Sequence, residues 1–106
     1  MEKANLSRAD LAYASFVNAG LSSAVLHGVD APGACFDYAN LTEADFSDSL
    51  GASANLSGAS FRKANLTGAK FDRARIADAD FEGADLTSVD LSTASGTPRN
   101  TARPEH

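Results

Sequence analysis

From Ala4 to Thr93 the chain divides into 18 consecutive pentads with no insertion or deletion. The central residue is Leu, Phe or Ile in 16 of them, with Ala31 and Gly51 as the exceptions. The residue two before the centre is Ala in 15, and otherwise Val29, Ser49 or Val89. Ala54–Arg73 shows the unit at its cleanest, four times in succession. Neither regular element buries such a pattern. On an α-helix, a step of five is about 140°, which scatters the centres around the axis. On a flat strand it sends successive centres to opposite faces. Only a chain that turns at every repeat aims every centre at one axis, and its coils must stack to satisfy their backbone N–H and C=O groups. The expected fold is all-β, a β-solenoid.

The remaining positions agree. A narrow axis has no room for two large residues per side, so a large centre alternates with a small partner. The other three positions are mostly Ser, Thr, Asn, Asp, Gly, Lys and Arg and should point outward. Gly28, Gly33, Gly58, Gly68 and Gly83 close their pentads, where a corner needs permissive backbone angles. The expected core is Leu6, Leu11, Phe16, Leu21, Leu26, Phe36, Leu41, Phe46, Leu56, Phe61, Leu66, Phe71, Ile76, Phe81, Leu86 and Leu91.

The unit Ala-(Asp/Asn)-Leu-X-X in unbroken tandem resembles the pentapeptide-repeat proteins over about 90 of 106 residues. That resemblance implies a right-handed quadrilateral single-stranded β-helix with four pentads per coil. About four and a half coils would then stack at about 4.8 Å into a rod roughly 20 Å tall. Charge spacing alone does not choose the number of sides. At a separation of 20, Glu43–Lys63, Arg62–Glu82 and Lys70–Asp90 are opposite pairs and Asp10–Asp30 a like pair. At 15, Asp48–Lys63, Lys63–Asp78, Lys70–Asp85 and Arg75–Asp90 do as well.

Under four sides, Ala31 and Gly51 would stack in adjacent coils between Leu11 and Phe71. Pro32 would withhold an N–H from the ladder there. One reading is a local thinning filled by Phe71, Phe46 or an inward Leu50. The other is an interaction notch made by Ala31, Pro32, Gly33, Leu50 and Gly51. The repeat domain is expected over residues 1–93 and a disordered tail over 94–106, which has two prolines and almost no apolar side chains. Solenoid ends expose core and unpaired backbone. Pentads run almost to both ends, so homo-oligomerisation by end-to-end stacking is expected, with the end around Phe81, Leu86 and Leu91 as the candidate.

No catalytic relay is apparent, and no cofactor or metal is expected. The histidines are His27, on an outward position, and His106, in the tail. Cys35 near Asp37 reads as a small surface residue, and Cys35 has no second cysteine to bridge. Nine Lys and Arg against 14 Asp and Glu give a net charge of −5, which disfavours nucleic-acid and anionic-membrane partners. No apolar run reaches the roughly 18 residues of a membrane span, and the cytoplasm is the expected compartment. Charge alternates along the chain, −3 over residues 41–60, +2 over 61–80 and −3 over 81–93. The expected function is a non-enzymatic structural or protein-interaction module with a rigid acidic surface. The alternative comes from the resemblance: some acidic, dimeric members of that family mimic DNA, bind DNA gyrase or topoisomerase IV and protect it from fluoroquinolones. The basic residues between Arg62 and Arg75 interrupt any continuous acidic track of that kind.

Overall fold

The structure, a computed structural model, describes residues 4–48 and 51–101. Parallel bridges join the residue before each centre to its counterpart one circuit on: Asn5 to Val25, Asp10 to Asp30, Ser15 to Cys35 and Gly20 to Asn40. Each offset is 20 residues, so a circuit holds four pentads. Around Leu6 the linkage is typical. The Leu6 and Arg8 N–H groups donate forward to the Val25 and His27 carbonyls at 2.7 and 2.8 Å, and the Val25 N–H donates back to Ala4 at 2.8 Å. The Ala9 N–H closes the corner onto the Leu6 carbonyl at 3.1 Å.

The bridges sort the pentads into four faces. Face 1 carries the centres Leu6, Leu26, Phe46 and Phe71; face 2, Leu11, Ala31, Leu56 and Ile76. Face 3 carries Phe16, Phe36, Phe61 and Phe81; face 4, Leu21, Leu41, Leu66 and Leu86. All sixteen expected core residues lie in the interior or against it. Leu6, Leu11, Phe16 and Leu91 are partly buried and the rest are buried.

The register changes once. Asp30 pairs with Asn55, Cys35 with Ser60, Asn40 with Asn65 and Asp45 with Lys70, each an offset of 25. It returns to 20 with Asn55–Arg75. The longer offset comes from the five extra residues in the sequence between Asp48 on face 1 and Ala54 on face 2, so a frame that never slips in sequence does slip in space. This corrects the expected stack. Gly51 does not lie on Ala31, whose neighbours along face 2 come from the Leu11 and Leu56 pentads; Phe71 follows Phe46 on face 1. Aromatic packing supplies a physical reason. With the extra pentad set aside, Phe16, Phe36, Phe61 and Phe81 stack at centroid spacings of 5.2, 5.0 and 5.1 Å, and Phe46 stacks on Phe71 at 5.0 Å. The two columns meet edge to face at 6.0 Å. Such pairs add about 0.5–1.5 kcal/mol each beyond burial. A constant offset of 20 would have laid Phe36 on Leu56.

The corners explain the remaining letters of the repeat. Where the last residue of a pentad has φ near +60°, as at Arg8, Tyr13 and Asn18, and the residue before it does not, the corner is a type II turn. The fourth residue's N–H is left out of the ladder, and the Asn or Asp before the centre caps it. The Ser7 N–H donates to Asn5 Oδ1 at 3.1 Å, and the Thr42, Ser57, Thr67 and Thr87 amides repeat this with Asn40, Asn55, Asn65 and Asp85. This local Asx bond is why the second letter is Asp or Asn. It also corrects the expectation for Pro32. Pro32 occupies the fourth position, where no ladder donor exists to lose, and Gly33 follows it at φ +67° in a Pro-Gly type II turn. The Pro32 carbonyl still accepts from Tyr13 at 2.9 Å.

Pairing runs past the boundary expected at Thr93. Ile76, Asp78 and Phe81 donate to the carbonyls of Ser95, Thr97 and Arg99 at 2.8, 2.9 and 3.0 Å, and Ser95 and Arg99 donate back to Ala74 and Ala79. Residues 94–101, expected in a disordered tail, therefore include rungs over faces 2 and 3. Residues 102–106, with His106, lie outside the described residues, as does Leu50. Gly96 makes the overlay fit: its φ is +91°, and a Cβ there would stand 2.7 Å from the Ala77 backbone. Gly96→Ala should thus lift this last segment. Faster amide exchange at Ile76 and Asp78, with Phe46 unaffected, is the expected readout; unchanged protection would show that the segment is not pinned there.

Candidate interaction surface

Every buried residue among those described is apolar, and no buried polar or charged side chain accompanies them. The chemistry of the chain is therefore on its outside, in side chains that the ladder holds in register. Among the described residues, ion pairs of Arg62 and Arg73 and a hydrogen bond of His27 cross between circuits. Arg62 reaches Glu82 at 3.2 Å on face 3, one of the pairs expected at a separation of 20. Arg73 reaches Asp48 at 3.3 Å and His27 Nε2 meets Asp45 at 2.8 Å, both missed by the sequence reading. The Arg73 pair is 25 apart, a separation visible only once residues 49–53 are set aside. Glu43 likewise lies against Gly68 rather than meeting Lys63. Lys63 sits with its ammonium 5.9 Å from the Tyr38 ring centroid.

Asp37 takes over the capping role where the repeat has Ser60 in place of Asp or Asn. Its carboxylate accepts from the Ser60 hydroxyl and, at 3.0 Å, from the Arg62 amide one circuit on. Cys35, beside Asp37 in sequence, is a half-buried free thiol. The proposed notch does not form one surface. Ala31 is wholly buried, Pro32 and Gly33 turn the corner from face 2 to face 3, and Gly51 is exposed between faces 1 and 2. The large apolar side chains exposed among the described residues are Tyr13, Val17 and Tyr38, all beside face 3 in the first two circuits. Among the described residues no group of three His, Cys, Asp or Glu is placed to hold a metal ion, and no helix is long and apolar enough to cross a membrane.

Asp45 shows how weakly this surface tunes its carboxylates. Burial works against its charge, but hydrogen bonds from Ser47 and His27 outweigh that and hold the carboxyl below its ordinary value. The Asn100 amide does the same for Asp80, and the Thr87 hydroxyl for Asp85. Depressed carboxylates stabilise the fold above their unfolded pKa of about 3.9, and that contribution fades as pH falls through the lower folded value. In acid melts between about pH 5 and 2, wild type should thus lose more stability than Asp45→Asn. Parallel curves would show that Asp45 contributes nothing.

The comparisons with known proteins follow this geometry. The family described as pentapeptide repeats matches in 8 copies over residues 4–48 and 54–92, a break that falls where the bridge offset lengthens by five. The chain belongs to the pentapeptide-repeat family. Among solved structures, it is similar to the pentapeptide-repeat protein Rfr23 from the cyanobacterium Cyanothece 51142, at 28% identity and a TM-score of 0.81 over 91% of this chain and 63% of that one. It is also similar to QnrB1, a plasmid-mediated fluoroquinolone resistance protein, at 27% identity and a TM-score of 0.53 over 87% of this chain and 52% of that one. HetL, involved in heterocyst differentiation regulation in Nostoc sp. strain PCC 7120, is 32% identical over 88% of this chain and 47% of its own, with a TM-score of 0.48. The chain thus spans between about half and 63% of the length of these relatives. No curated protein matches it in sequence.

Proposed function

We propose that this chain is a non-enzymatic interaction module, a right-handed four-sided β-helix of about four and a half coils whose outer rungs present a rigid, acidic surface to a protein partner in the cytoplasm. The observation that carries this reading is the division of labour between inside and outside. The interior is wholly apolar among the described residues, so no acid, base or nucleophile is desolvated enough to be tuned for chemistry. The outer side chains stand in ranks set by the backbone ladder. Right-handedness follows from the strong preference of parallel crossovers for that hand. Self-association by stacking of coil ends fits the partly exposed Leu6, Leu11 and Phe16 better than the expected end around Phe81, Leu86 and Leu91, of which Phe81 and Leu86 are buried and Leu91 alone is partly exposed.

The second reading is a DNA mimic that binds gyrase or topoisomerase IV, and the similarity to QnrB1 is what favours it. Two features weigh against it. The basic residues Arg62 and Arg73 are tied into ion pairs with Glu82 and Asp48, giving neutralised bands rather than one negative stripe. The longest dimension, 33 Å, matches only about ten base pairs of duplex at 3.4 Å each. Supercoiling by purified DNA gyrase, with and without ciprofloxacin, should be unchanged by this protein at micromolar concentration. Inhibition, or protection from the drug, would replace the first reading with the second.

A further inference from the structure

Face 2 differs from its neighbours in how its charges are arranged. The residues before its centres run Asp10, Asp30, Asn55, Arg75 and Ser95 along one bridged column. Negative charge thus stands on one side of Asn55 and positive charge on the other. Asp30 occupies the capping position, yet the residue it would cap is Pro32, which has no N–H to donate. Its carboxylate and the Arg75 guanidinium are both exposed, and neither has a hydrogen-bond or ion-pair partner among the described residues. Two rungs of about 4.8 Å separate them, with Asn55 between. The companion column on this face is made of small or ring-closed side chains, among them Pro32, Ser57 and Ala77. A facing surface can therefore come close to the charged column.

We propose that face 2 is a self-complementary docking face for a second copy of this chain, the two copies lying side by side and antiparallel. A two-fold axis across the face at the level of Asn55 exchanges the two sides of the column. It sets Arg75 of each copy opposite Asp30 of the other and brings the two Asn55 side chains together on the axis. This is the isologous arrangement of a closed dimer. Asp10, stacked beneath Asp30, deepens the negative potential that each arginine meets. A face only four or five rungs tall falls well short of the roughly 1,200 Å² of a standard interface, so the pairing is of the weak class and dominated by charge. It is distinct from stacking of coil ends, which uses neither Asp30 nor Arg75.

Sedimentation equilibrium and small-angle scattering on the full chain test this. Wild type should show a concentration-dependent monomer–dimer equilibrium that weakens with added NaCl, and a dimer about as long as the monomer but thicker. Asp30→Arg and Arg75→Asp should each weaken dimerisation by about tenfold or more, because each breaks both symmetry-related pairs and substitutes repulsion. The double variant carrying both should restore it. All three should melt like wild type, since neither side chain has an internal partner; should one fold poorly, Asp30→Asn and Arg75→Gln serve in its place. A strict monomer at every concentration overturns the proposal. So does a dimer indifferent to the single charge reversals or elongated end to end, the latter leaving coil stacking as the mode of association.

Discussion

Phe61→Ala is expected to lower the unfolding free energy by about 3–5 kcal/mol, the range for truncating a fully buried aromatic. Phe61 is wholly buried and is the hub of both aromatic columns. It stacks on Phe36 at 5.0 Å and Phe81 at 5.1 Å, and meets Phe46 and Phe71 edge to face at 6.0 Å. Its loss leaves a cavity inside a shell that the backbone ladder holds apart, so collapse to refill it is hindered. A typical domain has only about 5–15 kcal/mol to lose, so the variant should sit near the edge of folding at ambient temperature. Phe16→Ala should lose less, because Phe16 stacks on one ring only and is partly exposed. Urea denaturation of both variants checks the ranking. A Phe61 loss below about 1 kcal/mol would mean that the columns relax around the gap.

The second large effect is a contrast between two deletions of equal length. Removing residues 49–53 should leave the fold intact and stability unchanged or slightly higher. Every bridge at an offset of 25 becomes one at 20, and Asp48 need only take up the corner geometry that Asp78 already has at φ 59°. A shorter connection also closes at slightly lower entropic cost. Removing residues 59–63 instead should unfold the protein or force it to re-register. The column through Phe36, Phe61 and Phe81 loses its middle ring, and every later pentad moves to the preceding face. Circular dichroism melts of both deletions give the answer. A collapse on removing 49–53 would show that the extra pentad is an integral part of the stack.

The repeat's inward letters were legible because they answer to one local need each. Leu, Phe or Ile fills the axis, and Ala leaves room for it. The reason for Asp or Asn before the centre was not drawn from sequence, since the turn amide it caps is identified only once the corner geometry is known. The register change was legible in principle. Phenylalanines at 16, 36, 61 and 81 are spaced 20, 25 and 20 apart, and the ion pair Asp48–Arg73 and the contact Tyr38–Lys63 also span 25. Scanning charges at one constant separation could not find a pattern whose spacing changes midway. Ala31 and Gly51 were read as one fault because the frame was carried through residues 49–53 without asking which side chains would then stack. His27–Asp45 spans 18 residues, between the fourth letter of one pentad and the second of another, so a search that compares like positions passes over it.

The direction of the ladder bonds has an electrical consequence. In most interior pentads, as at residues 24–28, two peptide N–H groups point toward later circuits (Leu26 to Asp45, Gly28 to Ser47) and one points back (Val25 to Ala4). One peptide dipole of about 3.5 D per such pentad is therefore left uncancelled along the axis. Summed over the stack, these give the protein an intrinsic polarity, negative toward Ala4 and positive toward the last rungs, that no side-chain substitution removes. Glu82, Asp85 and Asp90 gather near the positive pole, where carboxylates are favoured as they are at the start of an α-helix. The block is thus oriented in an electric field by its backbone alone, and its two ends are chemically unlike even where their side chains match.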